Sequence, residues 1–101
     1  MRNSHNSSVA VPTSVVAGAA TAVGNLGRKT VSIEGTFTAT YQVQITLDDG
    51  ASPAAASWMN EGAALTAPGA IEISKICAAV RVNCTAHTSS SSPVGRVSGE
   101  L

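Results

Sequence analysis

The stretch VSIEGTFTATYQVQITL, residues 31–47, decides the fold class of this chain. Its apolar side chains fall on odd positions and its Ser, Thr and Gln side chains on even ones; the odd series is Val31, Ile33, Phe37, Ala39, Tyr41, Val43, Ile45 and Leu47. Successive side chains of a β-strand point to opposite faces, so this repeat of two predicts one buried face and one Thr/Gln face. The Thr/Gln face is suited to water or to contact with another chain. Gly35 has no side chain to pack, and we expect a bulge or a strand break there.

The sequence after this stretch is typical of further short strands separated by turns. Asp48-Asp49-Gly50 predicts a turn, because Asp accepts hydrogen bonds from the following backbone and Gly adopts positive φ. Apolar alternation returns over residues 71–86, and its change of phase predicts a turn or bulge at residues 75–79. The Ser-rich residues 88–93 predict a flexible connection, and residues 94–101 a closing strand.

Residues 52–61 leave two interpretations open. Ser52 and Pro53 suit the first turn of a short helix, but the segment equally suits a loop that leads into a strand carrying Trp58. We favour the loop. The whole pattern predicts an all-β fold, a single antiparallel β-sandwich or jelly-roll-like barrel of six to eight short strands.

A chain of 101 residues is the size of one domain. Residues 1–8 are polar and aperiodic, so we expect a flexible N-terminal arm, followed by one β-sandwich domain over residues 9–101. Residues 9–23 resemble a signal peptide only superficially, since Pro12 interrupts them and they contain no Leu, Ile or Phe. No stretch approaches the roughly 20 apolar residues of a membrane span, so we expect no membrane association.

The composition favours a surface covered by other proteins over one that uncharged Ser and Thr side chains keep in contact with water. Apolar residues make up 44% of the chain but are mostly Ala and Val, and charged residues make up only 12%, with a formal net charge of zero. Soluble domains usually carry about 25% charged residues. The six Lys and Arg residues are scattered, and only Arg28 and Lys29 are adjacent, in an expected loop. Nucleic-acid binding needs several clustered cations, so the sequence argues against it.

No residue pattern selects a catalytic, cofactor or metal site. His5 and His87 lack ligand spacing, and no motif picks one of the many serines as a nucleophile. The Glu side chains are interpreted as solvated. Cys77 and Cys84 lie seven apart in an apparently extended segment, where side chains point to opposite faces, so we expect two free, partly buried thiols, as in a reducing cytoplasm. The chain is therefore not expected to be an enzyme.

Trp58 is the residue with the strongest claim to bind a ligand. A Trp on a loop or edge strand can stack on a sugar ring, which makes a small carbohydrate-binding module one hypothesis. Such platforms usually need more than one aromatic residue, and Phe37 and Tyr41 are both in phase with the predicted buried face. We therefore favour packing in the core or at an interface for Trp58.

The order of features from residue 31 onward resembles small β-sandwich virion proteins of tailed bacteriophages. The matching features are Glu34-Gly35-Thr36-Phe37, Val43-Gln44-Ile45-Thr46-Leu47-Asp48-Asp49-Gly50, Trp58, Pro68, Ala79-Val80-Arg81-Val82-Asn83, Thr85, a Ser/Thr loop and a strand from Val94. The resemblance covers about 70 residues, and it departs from the group's pattern where residues 51–57 widen the gap between the Asp-Gly turn and Trp58.

That resemblance implies a structural role and carries over no catalytic residue. It implies virion roles such as capsid decoration, head fibre, or neck or tail component, and it does not choose among them. We favour a capsid decoration or cement subunit, with a neck, tail or fibre component as the alternative. The expected partners are the major capsid protein or other virion proteins, together with further copies of this chain. The expected location is the virion, assembled in the host cytoplasm.

Overall fold

The computed structural model describes residues 4–24, 26–47, 58–75 and 77–100. They form six strands: β1 (Ser4–Val9), β2 (Thr21–Ala22), β3 (Lys29–Thr46), β4 (Met59–Asn60), β5 (Gly69–Ile73) and β6 (Ala79–Glu100). Every pairing between these strands is antiparallel. The predicted all-β class is confirmed. In the described ranges no helix is long and apolar enough to cross a membrane.

Two long strands, β3 and β6, organise the sheet. They pair from Lys29 with Gly99 to Thr46 with Ala79. The first half of β3 and the last half of β6 are flanked by β5 and β1, and the other halves are flanked by β4 and β2. The result is two four-stranded halves joined by a two-stranded ribbon, the central ribbon, in which residues 36–40 of β3 pair with residues 86–91 of β6.

The two halves share one hydrophobic core. Ile33 and Val97 belong to the first half, Val43 and Val82 to the second, and all four are fully buried in the same cluster. Because one face of a single sheet cannot bury itself, the halves must cover each other. The sheet is therefore folded back on itself in two layers, as a sandwich requires.

Bulges in β6 produce the bend. Thr85 and Thr88 have no residue opposite them in the β3 ladder register, and Ser92 with Pro93 lie opposite Gly35 alone. Gly35 has a φ of 111°, and a Cβ there would lie 2.9 Å from the Ser92 carbonyl oxygen. Ser92 itself has a φ of 48°. The bulge predicted at Gly35 is confirmed, and so is the turn before residue 79, since β5 ends at Ile73 and β6 begins at Ala79.

Three expectations about local structure are corrected. Two of the strands are long rather than short, with 18 residues in β3 and 22 in β6. The Ser-rich residues 88–93 lie within β6 instead of forming a loop, because Ser89, Ser90 and Ser91 continue the ladder to β3. Residues 4–8 form most of β1, where we expected a flexible arm, because their backbone pairs with β6 whatever their side chains.

The odd-numbered row of β3 is buried as predicted at Val31, Ile33, Ala39, Tyr41, Val43 and Ile45. Leu47 is an exception at 62% exposure, since it follows the last paired residue of β3. Thr46 is an exception of the opposite kind, because it belongs to the polar face and is nevertheless fully buried. The predicted turn at Asp48-Asp49-Gly50 lies outside the described residues, as do residues 52–57 of the helix-or-loop segment 52–61. At the end of that segment, Met59–Asn60 form β4.

Candidate functional site

The outer face of the second half carries a connected group of polar and aromatic side chains, here called the Trp58 cluster: Trp58, Asn60, Gln44 and Arg81. Gln44 pairs with Asn60 of β4 on one side and with Arg81 of β6 on the other. Cross-strand partners share a face, and Trp58 joins them two residues before Asn60. Continued by one residue, the β4 register would set Trp58 opposite Thr46, which is fully buried.

Hydrogen bonds and a ring contact fix the geometry of the Trp58 cluster. Arg81 Nε donates to Gln44 Oε1 at 2.7 Å, and Gln44 Nε2 donates to Asn60 Oδ1 at 2.9 Å. The guanidinium carbon of Arg81 lies 4.4 Å from the centroid of the Trp58 ring, within the range of a cation–π contact. Burial lowers the pKa of Arg81, but a guanidinium stays charged at neutral pH. The cluster thus holds a positive charge in one orientation.

A second group of ionisable side chains lies at the start of β3. Lys29 is buried and its Nζ donates to the Lys75 carbonyl at 2.8 Å. Lys75 Nζ in turn contacts Glu61 Oε1 at 2.7 Å and Oε2 at 3.0 Å. The sequence placed Lys29 in a loop, yet it starts β3 and ties that strand to the turn before β6. We interpret this group as structural.

Cys77 belongs to the same group. Burial raises the pKa of its thiol, and the nearby Lys29 ammonium opposes that shift by its charge and by a hydrogen bond. Cys77 and Cys84 are both free and both buried. Burial also raises the pKa of Tyr41, with a smaller contribution from Cys84.

The raised pKa values predict a loss of stability at alkaline pH. A thiol or phenol whose pKa is higher in the folded state stabilises the fold below its unfolded pKa, and that contribution is lost as pH rises through the folded pKa. We expect the free energy of unfolding to fall above pH 9.0 through Cys77 and further above pH 10.0 through Tyr41. Urea unfolding at a series of pH values measures this. Cys77→Ala should raise the pH at which the free energy of unfolding begins to fall. If it began to fall at the same pH in both proteins, the assignment to Cys77 would be refuted.

The other candidate side chains make separate local contacts in the described part of the chain. His87 Nε2 and Ser90 Oγ lie 3.0 Å apart in β6, beside a shallow groove lined by Phe37, Thr66 and their neighbours. No carboxylate hydrogen bond to His87 is seen across the described ranges. Glu72 forms an exposed ion pair with Arg28 at 3.6 Å. Within the same ranges, no group of three or more His, Cys, Asp or Glu side chains could hold a metal ion.

Sequence reasoning singled out Trp58 but missed its partners. The alternation of β3 places Gln44 on the polar face, and that of β6 does the same for Arg81 against Val80 and Val82. That much could be found from the sequence. Their pairing depends on a register set by bulges elsewhere in β6, for which the sequence gives no local signal.

Comparison with known proteins shows a shared fold. A scan of protein-family models and a search of curated proteins find no match. Among solved structures, the chain is similar to the SPBc2 prophage-derived protein YomS, with a TM-score of 0.72 and 12% sequence identity. The alignment covers 100% of this chain and 96% of that one. The described two-layered β fold, along its whole length, is thus one that a prophage-derived protein also adopts.

Proposed function

We propose that this chain is a structural subunit of a tailed-phage particle, which acts by docking to other virion proteins. The specific role is capsid decoration, with the major capsid protein as the partner. The observation that carries the proposal is the full-length fold likeness to a prophage-derived protein. A docking role requires no catalytic residue or cofactor, and the proposal assigns none.

The central ribbon supports a docking role. Within the described residues, none of β1, β2, β4 and β5 pairs with it, so its two strands pair only with each other. Its exposed side chains are short and uncharged, among them Thr36, Thr38, Thr88, Ser89 and Ser91. Removing such groups from water on contact with a partner costs less than removing charged groups. The ribbon is therefore a surface that a protein partner can cover.

Repetition supplies the affinity in this proposal. A protein of this size offers each neighbour a modest contact, and a capsid lattice presents the same contact many times. Linked binding events occur at high effective concentration, so weak individual contacts add to a stable shell. Contacts between neighbouring copies of the chain on the lattice add further weak contacts to the same shell. Assembly takes place in the host cytoplasm, where the free thiols of Cys77 and Cys84 stay reduced.

Purified particles test the proposal. Virions of the phage that encodes the chain are banded on a density gradient, and the chain is measured by quantitative mass spectrometry against the major capsid protein. We expect the chain in the particle band, in a fixed ratio to the capsid protein. A chain that stays with unassembled protein would overturn the proposal. A few copies per particle would instead support the neck, tail or fibre role.

A carbohydrate-binding module remains the second candidate, favoured by one observation. Amide and guanidinium groups beside an indole, as in the Trp58 cluster, are groups that bind sugars. However, Arg81 already stacks on one face of the ring. A glycan that binds should shift or quench the emission of Trp58, the single Trp of the chain. An unchanged spectrum over a broad glycan panel would remove this candidate.

A further inference from the structure

We infer that Arg81, braced by Trp58 and Gln44, is the docking point for a carboxylate side chain of a neighbouring virion protein. This inference rests on the proposed function and names the chemistry of the partner. It places one contact on the outer face of the second half, away from the central ribbon.

Among the described residues, Arg81 forms its hydrogen bond through Nε, and its two terminal nitrogens have no hydrogen-bond partner. The guanidinium is a planar fork with five N–H donors, and the hydrogen bond to Gln44 uses Nε. Its two terminal NH₂ groups form the edge that matches a carboxylate in a bidentate pair. The ion pairs found within the described ranges are Arg28 with Glu72 and Lys75 with Glu61, and neither includes Arg81.

The support beneath Arg81 lowers the cost of docking. Ordering a long side chain at an interface costs about 0.5–1.5 kcal/mol. Arg81 is already held by Gln44, which Asn60 holds in turn, and by the Trp58 ring. Half-burial also reduces screening by water, which strengthens attraction to an opposite charge. Trp and Arg are the residues most often found at energetic centres of interfaces, and here they are in contact.

The charge distribution favours a single carboxylate over a nucleic acid. Other described cations lie elsewhere: Lys29 is buried, Lys75 and Arg28 have carboxylate partners, and Arg96 lies on the other half of the sheet. A nucleic-acid surface would need several cations to neutralise successive phosphates. One oriented guanidinium matches one acidic side chain. The neighbouring amide groups of Gln44 and Asn60 can form further hydrogen bonds at the edge of that contact.

Charge reversal tests the inference. Particles assembled without the chain are titrated with purified wild-type protein, Arg81→Glu, Arg81→Lys and the control Arg96→Glu, and bound protein is measured by co-sedimentation. We expect Arg81→Glu to weaken binding by about 30-fold or more, because truncating one partner of a close charge pair typically has at least this effect. Arg81→Lys should lose part of the affinity, since Lys cannot form the bidentate fork. Arg96→Glu reverses an exposed charge on the same strand and should bind as wild type does.

The outcomes separate this inference from the proposed function. Wild-type protein that fails to bind particles would overturn both. Wild-type and Arg81→Glu proteins that bind equally well would overturn only the role of Arg81. If Arg81→Glu melts well below wild type, Arg81→Gln replaces it, and undiminished binding by that folded variant overturns the inference equally. Recovery of Arg81→Glu binding by an acidic-to-Lys change in the partner would identify the carboxylate.

Discussion

Tyr41→Ala should lower the free energy of unfolding by about 3–5 kcal/mol, as expected for removal of a large aromatic side chain from a core. Tyr41 is fully buried, and its ring meets Phe37 edge-on with centroids 4.9 Å apart. Its hydroxyl donates to the Pro12 carbonyl at 2.9 Å, which ties the segment after β1 to the centre of β3. The total free energy of unfolding of a domain is about 5–15 kcal/mol, so the variant should lose a large fraction of its stability.

Urea unfolding followed by circular dichroism measures this loss. Tyr41→Phe is the matched control, because it keeps the ring and removes only the hydroxyl. It leaves the buried Pro12 carbonyl without this donor and should lose about 1–3 kcal/mol. If Tyr41→Ala unfolded at the same urea concentration as Tyr41→Phe, the ring would contribute little, and our account of the core would be wrong.

Gly35→Val should destabilise the fold through two additive effects. The backbone at Gly35 has a φ of 111°, where a side chain is strained by about 1–3 kcal/mol. The new Cβ would also lie 2.9 Å from the Ser92 carbonyl oxygen and 3.0 Å from Pro93 Cα, both backbone atoms. Forcing extra atoms into such a space typically costs a further 1–3 kcal/mol or so. The expected result is a large fall in melting temperature, measured by thermal unfolding.

Ser92→Gly is the matched control on the opposite strand. Ser92 has positive φ without being Gly, so the change relieves strain while adding flexibility to the unfolded chain. These effects oppose each other, and the melting temperature should stay near or above that of wild type. A Gly35→Val protein as stable as wild type would show that the bend does not need the positive φ.

The sequence was informative where a strand is half-buried. In β3, Ile33, Tyr41 and Val43 alternate with polar residues, and alternation with a period of two is typical of a strand that has one face in a core. The bulge at Gly35 could be predicted because glycine has no side chain to pack. The same alternation indicated the start of β6, where Val80 and Val82 are buried.

The sequence was uninformative where the pairing of strands depends on the backbone alone. Residues 4–8 and 88–92 are all Ser, Thr, His or Asn, and neither stretch shows apolar alternation. Both lie in strands because β6 pairs with β1 and β3 through main-chain groups, which every residue except Pro can supply. The three unpaired insertions in β6 also shift its side-chain phase, so Val97 is buried on odd parity and Val82 on even.

The candidate site was predictable in part for the same reason. Trp58 could be selected as a rare aromatic residue outside the buried row, and Gln44 as part of the polar face. The stack of Arg81 on Trp58 joins two strands whose alignment is set by long-range register, and a charged residue inside an apolar run gives no indication of its neighbour. Lys29 shows the same limit, since its burial depends on the carbonyl of Lys75.

The pairing of β3 with β6 has a kinetic consequence. Lys29 meets Gly99 and Thr46 meets Ala79, so the central ladder joins residues far apart in the chain. Each such contact requires closure of a long loop before any stabilising energy is gained, and proteins dominated by these contacts fold in milliseconds to seconds rather than microseconds. Until β6 arrives, β3 presents its apolar row without its main partner. The newly made chain is therefore most prone to aggregate during that interval, before its last strand is in place.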